Sequence, residues 1–341
     1  MSVAQIGEQE MLIDVGSARE ESVSDQDSLI CFHVGYHKTG STLLQRKVFP
    51  AHPDVSVVPM EESQSILLDQ REFDYDRNAT KEWIRRQRRQ HGTALLVVSD
   101  EEFSGNVHTG GNGGFLPAVI ADRLQDAAPD AHILIVVRRQ DHMLDSVYRQ
   151  YVKRGGTRSI DAYLFDRGKR KRHRFPGFDF DHFCYDKMIS RYQELFGREK
   201  VHVLAYEHLA YDSDAFLKDL FTRFGLEERC GAALASASSR SNRGLGPGAT
   251  SIMRVLNLFS REDPIDERAI VHLGKLRWVM ANGLLGVDRA VSQAKERVGL
   301  TTRASVLSRR AESFIAEYYR DSNARLAELT GLDVRRWGYA L

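Results

Sequence analysis

Five short runs of aliphatic and β-branched residues, at 29–34, 55–58, 95–98, 133–137 and 201–205, recur through the first two-thirds of the chain with helix-length stretches between them. Each run is almost continuously apolar rather than alternating, so both faces of each strand must be covered. Parallel strands sandwiched between helices meet that condition, and the pattern predicts an α/β chain with a central parallel sheet. Beyond about residue 212 the strand signal stops and helical periodicity takes over, at 215–224, 250–259 and 308–329. The C-terminal third is therefore expected to be mostly helical and to pack on the sheet. A Ser-, Gly-, Arg- and Pro-rich stretch at 236–248 reads either as a linker or as a functional loop.

Residues 1–27 carry seven acids against the single Arg19 and have little to bury, so they are expected to form an acidic, disordered tail. Residues 28–341 then make one domain. Lys and Arg number 48 against 47 Asp and Glu, a net charge of +1. Such a balance gives no global attraction to nucleic acid or to a membrane surface, and any anion site must be local. Cys31, Cys184 and Cys230 have neither metal-ligand nor disulfide-framework spacing. No signal peptide and no run of about 18 apolar residues is readable, so the expectation is a cytoplasmic protein without a membrane span.

The most informative segment is CFHVGYHKTGSTLLQ, residues 31–45, in which an apolar strand runs into a Gly-bounded loop and then a helix. Gly35 and Gly40 permit close backbone approach, and the N–H groups of Thr39, Gly40, Ser41 and Thr42 would point at an anion with a helix N-terminus behind them. In the P-loop of nucleotide triphosphatases a Lys follows the second Gly directly. Here Ser41 holds that position and Lys38 lies inside the loop, next to a single phosphate and the group it carries. The plainer reading is an ordinary βα turn with a solvated Lys.

Gly35-Tyr36-His37-Lys38-Thr39-Gly40-Ser41-Thr42 resembles the 5′-phosphosulfate loop of the sulfotransferases that use 3′-phosphoadenosine 5′-phosphosulfate (PAPS), particularly their bacterial and carbohydrate-modifying branches. The resemblance implies a P-loop-like three-layer domain that binds PAPS and releases adenosine 3′,5′-bisphosphate (PAP). A second buried strand, 133–137, leads into Arg138, with Ser146 eight residues on. Arg offers a planar fork to a phosphate and a Ser two helical turns along can add a hydroxyl. This resembles the family's 3′-phosphate motif, which carries Arg138 and Ser146 over as ligands. The family's usual Pro is replaced by Gln140, which leaves Arg139 as an alternative. The stretch 241–248 resembles, loosely, the loop that closes over the nucleotide, with Arg243 and Gly244 as candidates. The segment 203–209, with Tyr206 and Glu207, and the helix leading to Trp337 also resemble family elements.

Sulfuryl transfer is an in-line displacement through a loose transition state, so it needs a cation beside the leaving phosphate and a base for the acceptor proton, and no metal is demanded. Lys38 suits the first role. For the second, the strand at 95–98 ends in acids, where Glu101 or Glu102 can accept a proton. The resemblance points to Glu101, while a His base, from His37 or His108, would suit the small-molecule branch. The acceptor is expected to be a hydroxyl or amine of a carbohydrate or other small metabolite, and an anionic one if the basic runs at 85–89 and 167–174 contribute. The competing readings are a P-loop kinase or other phosphotransferase, and a noncatalytic anion- or glycan-binding module.

Overall fold

The computed structural model describes residues 28–166, 177–227, 229, 246–259, 279, 282–284, 286–288 and 304–341. The acid-rich segment 1–27, the basic run 167–174, Cys230, Arg243 and Gly244 lie outside the described residues.

All five apolar runs are strands: β1 (Leu29–His33), β2 (Val55–Val57), β3 (Leu95–Ser99), β4 (His132–Val137) and β5 (Val201–Ala205). They pair in parallel throughout, in the order β2-β3-β1-β4-β5. Because side chains alternate across a strand, each run feeds two cores. Ile30, Phe32, Leu96, Val98, Ile133, Ile135 and Val137 face one, covered by the helices Phe115–Ala127, Gln140–Lys153 and Tyr185–Phe196 and by the C-terminal helices. Cys31, Leu95, Val97, Leu134, Val136 and Leu204 face the other, against Leu44, Val48, Phe49 and the helix Ser213–Thr222. This is the expected three-layer arrangement.

The expected helix at 308–329 is in fact two, Arg309–Tyr318 and Arg320–Thr330. The chain breaks at Tyr319, whose ring is fully buried and whose hydroxyl donates to the carbonyl of Phe180 at 2.8 Å. The backbone there leaves helical geometry for one residue, at φ −94° and ψ 0°, while Tyr319 N–H still donates to Ile315 O and Asn323 N–H to Tyr319 O. Among the described residues no helix is long and apolar enough to cross a membrane.

Candidate active site

In a parallel sheet the loops after the strands all emerge at one edge, and open α/β sheets bind ligands there. The central strand, β1, delivers the Gly-bounded loop to that edge. Its backbone pairing with β4 continues beyond the strand: Val34 N–H donates to Leu134 O (3.0 Å), Tyr36 N–H to Val136 O (3.1 Å), and Val136 N–H to Gly35 O (2.8 Å). Thr39 closes the loop on itself, its hydroxyl donating to the carbonyl of Tyr36 at 2.5 Å. Gly35 has φ of 105°, and a Cβ there would lie 3.2 Å from Ser104 Oγ and 3.4 Å from the backbone of Glu101. Its bare backbone is what lets the β1 loop rest on the turn that carries the acids. Gly40 has φ of 91° and lies under Leu209 and Tyr206, where a Cβ would come within 2.9 Å of Leu209 Cδ2. Lys38 itself is held at a positive φ of 66°, a conformation a non-glycine residue adopts only where its surroundings impose it.

Several cationic groups gather at this edge beside the acids that follow β3. Lys38 is half-buried, and its ammonium is pushed below the usual lysine range by burial and then by the charges of Arg154 and Lys153; Arg138 adds to this, while Glu101 acts in the opposite sense. Cations collected in this way repel one another unless something negative joins them. His37 is buried and held neutral, its pKa lowered to about 4 by burial and by Lys38 and Arg154, with Nε2 3.6 Å from Glu102 Oε1. Ser41 is buried and Thr42 exposed in the first helical turn.

Arg138, at the end of β4, reaches across to the same loop. Its Nη1 donates to the carbonyl of Lys38 at 2.8 Å, and its guanidinium carbon lies 4.5 Å from the centroid of the Tyr206 ring. The Arg138 carbonyl is fixed by the Tyr185 hydroxyl at 2.6 Å, and its buried Nε has no hydrogen-bond partner among the described residues. Arg139 turns the other way, into a bidentate pair with Asp141 at 2.8 and 2.5 Å, while its N–H donates to Glu207 Oε1. Of the two arginines it is thus Arg138 that meets the β1 loop. Ser146 lies half-buried two turns along the helix Gln140–Lys153, its hydroxyl without a hydrogen-bond partner among the described residues.

The acids follow β3 in a short 3-10 turn, Glu101–Ser104, capped by the buried Asp100, whose carboxylate accepts from Glu102 N–H at 2.8 Å and from Gln64 Nε2 at 2.8 Å. Glu101 Oε2 accepts from Gln45 Nε2 at 3.0 Å. Glu102 is pushed above the usual carboxylate range by burial and by Asp100 and Glu101. His108 is engaged elsewhere, Nδ1 lying 2.8 Å from the hydroxyl of Tyr163. A cavity of about 290 Å³ lies between the helices Phe115–Ala127 and Tyr185–Phe196; its walls include Tyr36, Ser104, His182 and Tyr192, with neither Glu101 nor Glu102 among them.

Lys38, Arg138, Glu101 and His37 are thus brought to one edge. The basic run at 85–89 is not: it ends the helix Arg77–His91, which leads into the amino end of β3, and Arg88 and Arg89 pair there with Asp130 and Glu82. Sequence reasoning missed Gln45, Lys153 and Arg154. The last two sit a helix-length beyond Arg138, with no local pattern to mark them.

No family model matches the chain, and no curated protein matches it. Among solved structures, a sulfotransferase from Alicyclobacillus acidocaldarius aligns with a TM-score of 0.52 at 18% identity, over 90% of this chain and 97% of that one. Mouse sulfotransferase SULT7A1 complexed with PAP aligns at a TM-score of 0.34 and 14% identity, over 82% of this chain and 90% of that one. The first likeness establishes that the chain has a sulfotransferase fold.

Proposed function

We propose that this protein transfers a sulfuryl group from PAPS to a hydroxyl, or an amine, of a carbohydrate or other small metabolite. The observation that carries the reading is the hydrogen bond from Arg138 to the backbone carbonyl of Lys38, which ties the arginine at the end of β4 to the β1 loop that presents the lysine. A ligand that carries one anionic group for the β1 loop and a second for Arg138, as PAPS does, suits that pairing. Lys38, the N–H groups of Thr39, Gly40, Ser41 and Thr42, and the Ser41 and Thr42 hydroxyls hold the 5′-phosphosulfate, with Gly35 and His37 shaping the loop. Arg138 and Ser146 hold the 3′-phosphate, with Arg243 and Gly244 as further candidates outside the described residues.

PAPS supplies an activated sulfuryl group on a good leaving phosphate. As the acceptor oxygen bonds to sulfur, the bond from sulfur to the 5′-phosphate oxygen breaks, and the negative charge gathering on that phosphate is met by Lys38. The acceptor proton passes to Glu101. Of the adjacent acids, Glu101 is held by Gln45 and lies among the charges that act on Lys38, while Glu102 lies against His37, which supports assigning Glu101 as the base.

Binding and turnover test this in two steps. A ligand that binds only the folded state raises the melting temperature, so PAP should raise it and ATP with Mg²⁺ should not. The reverse order would point to phosphoryl transfer. Labelled PAPS offered with phenols, amines, hexoses and acidic glycans should then label one class. PAP binding without transfer to any acceptor, or to water, would leave a noncatalytic binding module.

A further inference from the structure

His33 and Ser99 close the alternate rows of side chains on β1 and β3 that face the Leu44–Val48 side of the sheet, and the parallel register sets them directly opposite each other. Both are buried, and His33 Nδ1 lies 2.6 Å from Ser99 Oγ. Above them sits Gln45, in a π-helical turn (Leu44–Val48) that interrupts the helical stretch after the loop. Helical side chains tilt toward the N-terminus, so Gln45 is directed back toward the strand ends. Its Nε2 contacts three acceptors: Glu101 Oε2 at 3.0 Å, Ser99 Oγ at 3.1 Å and Ser99 O at 3.3 Å.

The direction of this chain follows from its members. An amide turned the other way would set its carbonyl oxygen against a carboxylate, so the NH₂ faces Glu101. One of its hydrogens goes to Glu101 and the other is shared by the two oxygens of Ser99. Ser99 Oγ accepts from Gln45 and shares one proton with His33 Nδ1, in the sense set by the imidazole tautomer. Burial lowers the His33 pKa to about 4, so the imidazole stays neutral at neutral pH.

We propose that Gln45, anchored by Ser99 and His33, is a positioning residue for the base: it occupies Oε2 of Glu101 and so presents Oε1 to the acceptor proton. The inference rests on Glu101 being the base. Glu102 has no such tether and lies instead near His37. Gln45 touches neither donor nor acceptor in this scheme, so its removal should act on turnover alone.

The test uses the full-length protein and PAPS with water as the acceptor, followed as PAP release, so that no identified acceptor is needed. Gln45→Met keeps the volume and removes the donor; Gln45→Glu keeps the shape and sets a second carboxylate beside Glu101. Each should lower kcat about tenfold or more while leaving KM for PAPS and the affinity for PAP nearly unchanged; Gln45→Met should also keep the melting temperature, whereas Gln45→Glu, which sets two carboxylates together, should lower it. In a Glu101→Gln background, Gln45→Met should cost nothing further, because residues that act as a unit are non-additive. Unchanged kcat in both Gln45 variants, or a full additional loss in the double variant, overturns the positioning role. If Gln45→Met is poorly folded, Gln45→Glu decides alone. Should Glu101→Gln itself keep full activity, the base assignment fails instead, an outcome distinct from failure of Gln45.

Discussion

The two ends of the candidate nucleotide site are built by different means. At the β1 loop the ligand-facing groups are largely backbone, shaped within eight consecutive residues by two glycines, a left-handed Lys38 and the closing bond from Thr39 to Tyr36. At the end of β4 the site rests on side chains, Ser146 on the following helix and above all Arg138, which is held from outside: by Tyr185 on its carbonyl, by Tyr206 on its face and by the β1 loop at its tip. A loop shaped by its own backbone can be rigid before its ligand arrives, whereas an arginine is only as well placed as its neighbours. The first end should therefore govern chemistry and the second should govern which nucleotide is bound.

The largest break in that contrast should come from Lys38→Ala. The loop amides remain, but the cation that meets the leaving phosphate is gone, so turnover should fall by about two orders of magnitude or more, the scale for a single transition-state donor. PAP affinity should change far less. Near-normal turnover measured with labelled PAPS would remove Lys38 from the chemistry.

Arg138→Ala attacks the other end. A charge-assisted hydrogen bond contributes about 1.5–3 kcal/mol, so PAP should bind roughly 10- to 100-fold more weakly, while adenosine 5′-monophosphate, which lacks the 3′-phosphate, should lose little. Calorimetry with the two ligands separates the cases. Equal losses would mean that Arg138 acts by bracing the β1 loop through the Lys38 carbonyl, and that the two ends are one structural unit.

Gly40→Ala then asks how far the loop depends on backbone alone. The nearest clash, Leu209 Cδ2, is the far end of a flexible side chain and can give way; the φ of 91° cannot be relieved in the same manner. Left-handed strain of about 1–2 kcal/mol predicts about a tenfold loss of PAP affinity and a lower melting temperature. Arg138-dependent selectivity should survive.

The same contrast explains what was legible in the sequence. All five strands, the loop and Arg138 could be read because each is announced locally, by an apolar run, a pair of glycines or an arginine at a strand end. The tethers could not. Gln45 looks like any helical glutamine until register sets His33 against Ser99, 66 residues apart, beneath it. Arg154 and Lys153 act on Lys38 from the far end of a helix whose start carries Arg138. The break at Tyr319 was equally hidden, because the carbonyl that receives its hydroxyl lies 139 residues away.

The smallest effect, and the finest test of the contrast, should come from Tyr206. Its ring stands 4.5 Å from the Arg138 guanidinium, a geometry in which the negative face of the ring attracts the cation and limits its orientations. Such contacts contribute about 0.5–1 kcal/mol where the pair is not fully desolvated, so Tyr206→Leu should weaken PAP by roughly twofold to fivefold and leave turnover at saturating PAPS almost unchanged. Tyr206→Phe keeps the ring and should bind PAP as the parent protein does. If Phe loses as much as Leu, the phenol oxygen rather than the ring supports the site. If neither substitution matters while Arg138→Ala does, the loop-to-arginine bond alone fixes Arg138, and the second end of the site is as locally built as the first.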